Sequence, residues 1–86
     1  MARTKFELSA HAATVIAERK IELAWIERAL LEPERTEPGR HDPTLTHAFA
    51  RISERGGRVL RVVYNAQTDP PRIVTAYFDR TLKDRP

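Results

Sequence analysis

The pattern of apolar and polar residues predicts that the chain begins with a short strand and two helices. Residues 5–8 alternate polar with apolar, as in a strand, and Ser9 is a favoured N-cap for the segment that follows. Apolar residues at helical spacing then predict a helix over residues 10–20 and a second amphipathic helix over residues 22–32. Pro33 ends the second pattern.

Residues 33–43 contain three prolines and a glycine among charged side chains. This composition predicts an exposed, mobile loop rather than a regular element. Loops of this kind often carry functional residues on a rigid scaffold.

Three further strands are predicted over residues 45–54, 58–65 and 72–79, joined as an antiparallel meander. A three-residue hairpin loop at residues 55–57, with a glycine in the left-handed conformation, would join the first two. The sequence therefore predicts an α+β fold in which the N-terminal strand and two helices pack on a three-stranded antiparallel meander. We expect residues 1–86 to form a single domain.

The hairpin loop also predicts which face of the meander packs on the helices. With three loop residues, Ile52 faces Leu60 and Ala48 faces Tyr64. A slip of one residue would bring Arg51 and Arg61 into the core, which is far costlier than any turn preference. The predicted core face comprises Ala48, Ala50, Ile52, Leu60, Val62, Tyr64, Val74, Ala76 and Phe78, packed against Trp25 and Leu30 of the second helix.

The opposite face carries the most informative polar pattern. In the same register Arg51 lies beside Arg61, with Tyr77 next across the sheet and with Phe49 and His47 alongside. Guanidinium groups bind phosphates and aromatic rings stack on bases, so this row has the composition of an RNA-binding surface.

Two other interpretations of this face remain open. Its arginines could pair with Glu54 or Asp79 on a solvated sheet surface, or another chain could cover the face. Composition does not decide among them, although the formal net charge of +3 favours acidic partners such as RNA, a ribosomal surface or an acidic protein.

Candidate chemistry at the histidines does not involve a metal. His11, His41 and His47 could act as general acid or base, because an unperturbed imidazole side chain titrates close to neutral pH, but capping sufficiently explains His11 at the start of a helix. The spacing of His41, Asp42 and His47 matches no established ligand pattern. The chain has no cysteine and no cofactor-binding motif, so we expect neither a metal nor a cofactor. No apolar stretch is long enough to span a membrane, and the expected location is cytoplasmic.

Several phrases along the chain resemble a widespread family of small bacterial domains. They are FELSAH (6–11), ERKI (18–21), IERAL (26–30), PER (33–35), GGRVLRVV (56–63) and IVTAY (73–77). This family is similar to BrnT and, more distantly, to RelE and ParE, the toxins of bacterial toxin–antitoxin pairs. The chain departs from the family's sequence pattern at three positions. Lys20 stands where glycine is usual, Glu22 stands where a Ser or Thr cap is common, and Tyr77 stands where BrnT has an arginine.

The resemblance implies a two-helix, antiparallel-sheet fold and metal-independent cleavage of RNA on the basic sheet face. It implies a cognate antitoxin as partner, and RNA or the ribosome as target. On this basis Arg51 and Arg61 would bind phosphates, Phe49 would stack on a base, and His47, Arg61 and Tyr77 would act in catalysis. The alternative is a non-catalytic module of the same fold that binds RNA or a protein partner.

Overall fold

The computed structural model describes residues 6–82, which form two helices and a five-stranded mixed sheet. The order along the chain is β1 (Glu7–Leu8), α1 (Ala10–Glu18), α2 (Leu23–Leu31), β2 (Arg35–Pro38), β3 (Leu45–Ile52), β4 (Arg58–Asn65) and β5 (Arg72–Phe78). In space the strands run β1-β5-β4-β3-β2, with β1 parallel to β5 and the other neighbours antiparallel. The α+β class is confirmed. The sheet is not the predicted three-stranded meander alone, because β2 and the parallel β1 extend the antiparallel strands β3, β4 and β5 to five.

Helix α1 is defined by its two caps. The Ser9 hydroxyl accepts a hydrogen bond from the Ala12 amide at 3.0 Å and donates one to the Val74 carbonyl of β5 at 3.1 Å. At the other end the amide of Ile21 reaches the carbonyl of Ile16 at 3.0 Å, which closes the helix two residues earlier than predicted. The N-cap thus fixes both the start of the helix and its position on the sheet.

Residues 33–43 are not simply the loop that the sequence predicted, because β2 forms within them. Arg35 pairs with Phe49 and Glu37 pairs with His47, so β2 adds an edge strand to β3. Its four residues are too few to show a strand period, and Pro38 and the charges obscure the pattern. The prolines and charges that indicated a loop are also typical of a short, protected sheet edge.

The hairpin between β3 and β4 is longer than the predicted three-residue loop. Ile52 pairs with Arg58, and the residues between them form a 3₁₀ turn followed by Gly56 and Gly57, both with positive φ. As a result Ala50, rather than Ile52, lies opposite Leu60. The register differs from the predicted one by two residues, which keeps every side chain on its predicted face.

Strand β5 contains an irregularity that the sequence did not reveal. Val63 pairs with Thr75, but the next residue, Tyr64, pairs with Ile73, so Val74 is passed over. Ile73 is consequently fully buried in the core and Val74 is only half-buried. The predicted positions of these two residues were reversed.

One hydrophobic core lies between the helices and one face of the sheet. Leu60 is fully buried there, whereas Leu30 and Phe78 pack against the core but remain half-buried. Arg61 lies on the other face, so the predicted assignment of faces on β3 and β4 is confirmed. The buried set comprises Ala12, Ile16, Ile21, Trp25, Ile26, Ala29, Ala48, Ala50, Ile52, Leu60, Val62, Ile73 and Ala76.

Candidate functional site

A row of alternating cations and aromatic rings crosses the face of the sheet opposite the helices. The strand pairings align Arg35 of β2, Phe49 of β3, Arg61 of β4 and Tyr77 of β5. The pairing of Arg61 with Tyr77 is as predicted, but the expected neighbour Arg51 lies opposite Val59, two residues further along β3. Arg51 is exposed and lies outside the cleft described below, so its expected contact with phosphate stays a prediction.

Phe49 lies in this row between two guanidinium groups. The guanidinium carbon of Arg35 is 4.3 Å from its ring centroid and that of Arg61 is 4.6 Å away, and Phe49 is fully buried. The two guanidinium groups cover the ring in this conformation, and the expected stacking of Phe49 on a base stays a prediction. Phe49 supports the two arginines through cation–π contacts.

Arg61 is held mainly by Asp79, at the end of β5. Its Nη2 donates to Asp79 Oδ2 at 2.9 Å, and the two side chains are 20% and 10% exposed. This contact matches the interpretation in which Asp79 neutralises an arginine. Arg61 also approaches the Tyr77 ring at 5.8 Å, while its buried Nε has no acceptor within residues 6–82.

The Asp79 carboxylate is itself fixed by the residues that follow it. Its Oδ1 accepts hydrogen bonds from the Thr81 amide at 2.9 Å and the Thr81 hydroxyl at 2.6 Å. Burial raises the pKa of Asp79, but the Thr81 hydrogen bonds and the charge of Arg61 outweigh it and leave the pKa below its ordinary value. Asp79 is therefore an anion that holds Arg61 in place.

His47 contacts the same guanidinium from β3. Nη1 of Arg61 lies 3.5 Å from His47 Nδ1, and because a guanidinium can only donate, Nδ1 is the acceptor and the ring proton lies on Nε2. Burial lowers the pKa of His47 and the charge of Arg61 lowers it further, whereas Glu37 acts in the opposite direction. His47 is therefore neutral at pH 7, with a lone pair directed toward a cation.

These side chains line a cleft of about 580 Å³ between the sheet face and the segment after β2. Gly39 is buried in its wall, where an added Cβ would lie 2.6 Å from the Asp42 carbonyl oxygen and 3.3 Å from His47 Nε2. Glycine at this position lets the backbone close against the imidazole. The lining includes Glu37, Arg40, His41, His47, Arg61 and Tyr77.

The turn that forms this wall is ordered by Asp42. Its carboxylate accepts hydrogen bonds from the Thr44 amide and hydroxyl, and these hydrogen bonds lower the pKa of Asp42. His41 thereby lies in the cleft lining, while His11 is exposed on α1, away from the cleft. The expectation that this segment carries functional residues is consistent with its place in the wall.

The cleft combines a neutral imidazole, a guanidinium and a phenol within one cavity. This set can accept a proton, bind an oxyanion and donate a proton without a metal ion. Within residues 6–82, no group of three or more His, Cys, Asp or Glu residues is arranged to hold a metal. In the same part of the chain, no helix is long and apolar enough to cross a membrane.

Glu37, Gly39 and Arg35 belong to this site, yet the sequence did not single them out. Their signal was hidden because residues 33–43 have the composition of a loop, which predicts no partner strand to place Arg35 beside Phe49 or Glu37 beside His47. Asp79 was considered only as a partner for an arginine. The signal that remained for β2 was the combination of prolines and charges in residues 33–43, which is also typical of a protected sheet edge.

The fold and cleft define a small α+β domain with a titratable cleft on the open face of its sheet. Residues 8–78 match the family described as "Domain of unknown function (DUF4258)", and the chain belongs to that family. No curated protein and no solved structure gives a significant match.

Proposed function

We propose that this domain is a metal-independent ribonuclease of the toxin type, acting in the cytoplasm and controlled by a cognate antitoxin protein. The observation that carries the proposal is the contact of His47 with Arg61 inside the cleft, which pairs a potential base with a phosphate-binding cation. The resemblance to BrnT-like and RelE-like toxins adds the substrate, RNA or ribosome-bound RNA.

The proposed reaction uses the ribose 2′-hydroxyl as nucleophile. His47 accepts the hydroxyl proton at Nδ1 while the 2′-oxygen bonds to the adjacent phosphorus and the bond to the 5′-oxygen breaks. Arg61 stabilises the charge that develops on the phosphate, and Tyr77 donates a proton to the departing 5′-oxygen. The products are a 2′,3′-cyclic phosphate and a 5′-hydroxyl.

Cleavage of a single-stranded RNA in EDTA tests this function. The wild-type protein should release 2′,3′-cyclic phosphate ends, and His47→Gln should slow the reaction about 100-fold or more because general acid–base catalysis contributes at least that much. His41→Gln is the matched control, since it removes an imidazole from the same cleft but not the one in contact with Arg61. A deoxyoligonucleotide of the same sequence should stay intact because it has no 2′-hydroxyl.

Growth of bacteria that express the protein without an antitoxin gives a second measurement. Wild-type protein should inhibit growth, and His47→Gln should not. If the wild-type protein neither cleaves RNA, alone or with ribosomes, nor inhibits growth, the ribonuclease proposal is wrong.

A non-catalytic module that binds RNA or a protein partner is the second candidate. The ion pair between Arg61 and Asp79 favours it, because the cation is already neutralised within the domain. In that case the protein should bind a fluorescent RNA or its partner without forming products. For RNA, this binding should weaken as salt rises.

A further inference from the structure

The contact between His47 and Arg61 ties the protonation of the imidazole to the charge in the cleft. A guanidinium keeps its protons at any ordinary pH, so Nη1 can only donate toward Nδ1 at 3.5 Å. Protonation of His47 would put an N–H in place of that acceptor and a second positive charge beside the first. As long as no anion draws Nη1 away, this contact therefore favours neutral His47.

Other charged groups face His47 from each neighbouring element. Glu37 of β2 lies opposite it but is ion-paired with Arg35 at 2.7 Å, and Asp79 beyond β5 is paired with Arg61. The segment after β2 adds Arg40, His41 and Asp42 to the cleft lining, and strand β5 adds Tyr77. The Asp42 carboxylate already accepts two hydrogen bonds from Thr44. The carboxylates around the cleft thus have partners already, so an added anion changes the charge balance at His47.

We propose that the cleft binds an oxyanion, the phosphate group of a nucleic acid backbone, together with one proton taken up by His47. An oxygen that accepts from Nη1 draws this donor away from Nδ1 and places negative charge beside the imidazole. Both changes favour the imidazolium. The inference rests on the proposed function in taking Arg61 as the phosphate-binding cation. Because an imidazolium cannot accept a proton, His47 acts as the base only in those complexes in which it has stayed neutral.

Reciprocal linkage converts this coupling into a measurable pH dependence of affinity. If bound anion favours protonated His47, protonated His47 must favour bound anion by the same factor. An opposite charge a few ångströms away commonly changes proton affinity by tenfold or more, so anion affinity should rise about tenfold between about pH 8 and about pH 5.5.

The test uses two anions whose own charge is constant over this pH range. Sulfate represents a free oxyanion, and a thymidine dinucleotide represents the backbone phosphodiester. The dinucleotide cannot be cleaved by the proposed reaction because its sugars have no 2′-hydroxyl. Calorimetry in two buffers of different ionisation enthalpy counts the protons taken up, and NMR follows the His47 ring. In His47→Gln, binding should be independent of pH and without proton uptake, whereas His11→Gln, which removes an exposed imidazole of α1 away from the cleft, should behave as wild type.

Each possible result of these measurements either supports or overturns the proposal. A wild-type affinity that does not change with pH, or a pH dependence that persists in His47→Gln, overturns the proposal. Binding of sulfate without the dinucleotide overturns the assignment to a nucleic acid backbone, and failure to bind either anion overturns the proposal together with the role of Arg61 in catalysis. Proton-linked binding of the dinucleotide without cleavage of RNA supports this inference and leaves only the ribonuclease proposal wrong.

Discussion

Lys20 shows how one backbone angle explains a residue preference. It follows the C-cap of α1 with a φ of 56°, a left-handed conformation that an L-amino acid with a Cβ adopts at a cost. The amides of Lys20 and Ile21 bond to the carbonyls of Ala17 and Ile16, which is the pattern of a Schellman cap. Glycine is favoured at that position because it has no Cβ.

Replacing Lys20 with Gly should stabilise the protein by about 0.5–1 kcal/mol, because relief of the left-handed strain exceeds the added flexibility of the unfolded chain. The Lys20 side chain is exposed, so little packing is lost. Urea unfolding measures the change. Lys20→Ala is the matched control, which should give no such gain since alanine keeps the Cβ; an equal gain in both variants would contradict this explanation.

The β3–β4 hairpin shows what an element's pattern does and does not reveal. Alternation of apolar residues correctly placed Arg61 and His47 on the face away from the helices, because a wrong face would bury charge. It did not define the neighbours of Arg61, since a shift of two residues leaves the alternation unchanged. The turn after Ile52 determined the register and put Phe49, rather than Arg51, beside Arg61.

Helix α2 offers a prediction about packing. Ile26 is fully buried, so Ile26→Ala should lower the free energy of unfolding by about 2–5 kcal/mol. Leu30 is half-buried, so Leu30→Ala should lower it by only about 1–2 kcal/mol. Leu23→Ala should change the free energy of unfolding by no more than about 0.5 kcal/mol, because Leu23 is 52% exposed. Free energies of unfolding for the three variants test this order. A larger loss for Leu30→Ala than for Ile26→Ala would mean that the helix is rotated relative to the sheet.

At the scale of the whole molecule, the cleft is assembled from segments that are distant along the chain. Glu37 and Gly39 come from β2 and the turn after it, His47 from β3, Arg61 from β4, and Asp79 from the end of β5. No local pattern links Asp79 to Arg61. Their ion pair exists because β4 and β5 pair in a register that places Arg61 opposite Tyr77.

This ion pair predicts how global stability depends on acid. The folded-state pKa of Asp79 is lowered, so its carboxylate contributes stability above its ordinary pKa near 3.8, and this contribution is lost as the pH falls through the lowered value. Asp79→Asn should therefore destabilise the protein at about pH 7, and the difference from wild type should shrink toward about pH 3. Urea unfolding at both pH values measures it. A difference that does not change with pH would show that the charge of Asp79 contributes nothing.

The sequence alone determined the α+β class, the Ser9 cap and the faces of β3 and β4, because caps and apolar alternation are local properties that burial enforces. Tertiary structure decided that β2 pairs as an edge strand, that Ile73 rather than Val74 is buried in the core, and that Arg61 contacts His47 and Asp79. These features depend on which strands meet and in what register. That outcome is set by the turns, the β-bulge and long-range pairing together, and no single stretch of residues encodes it.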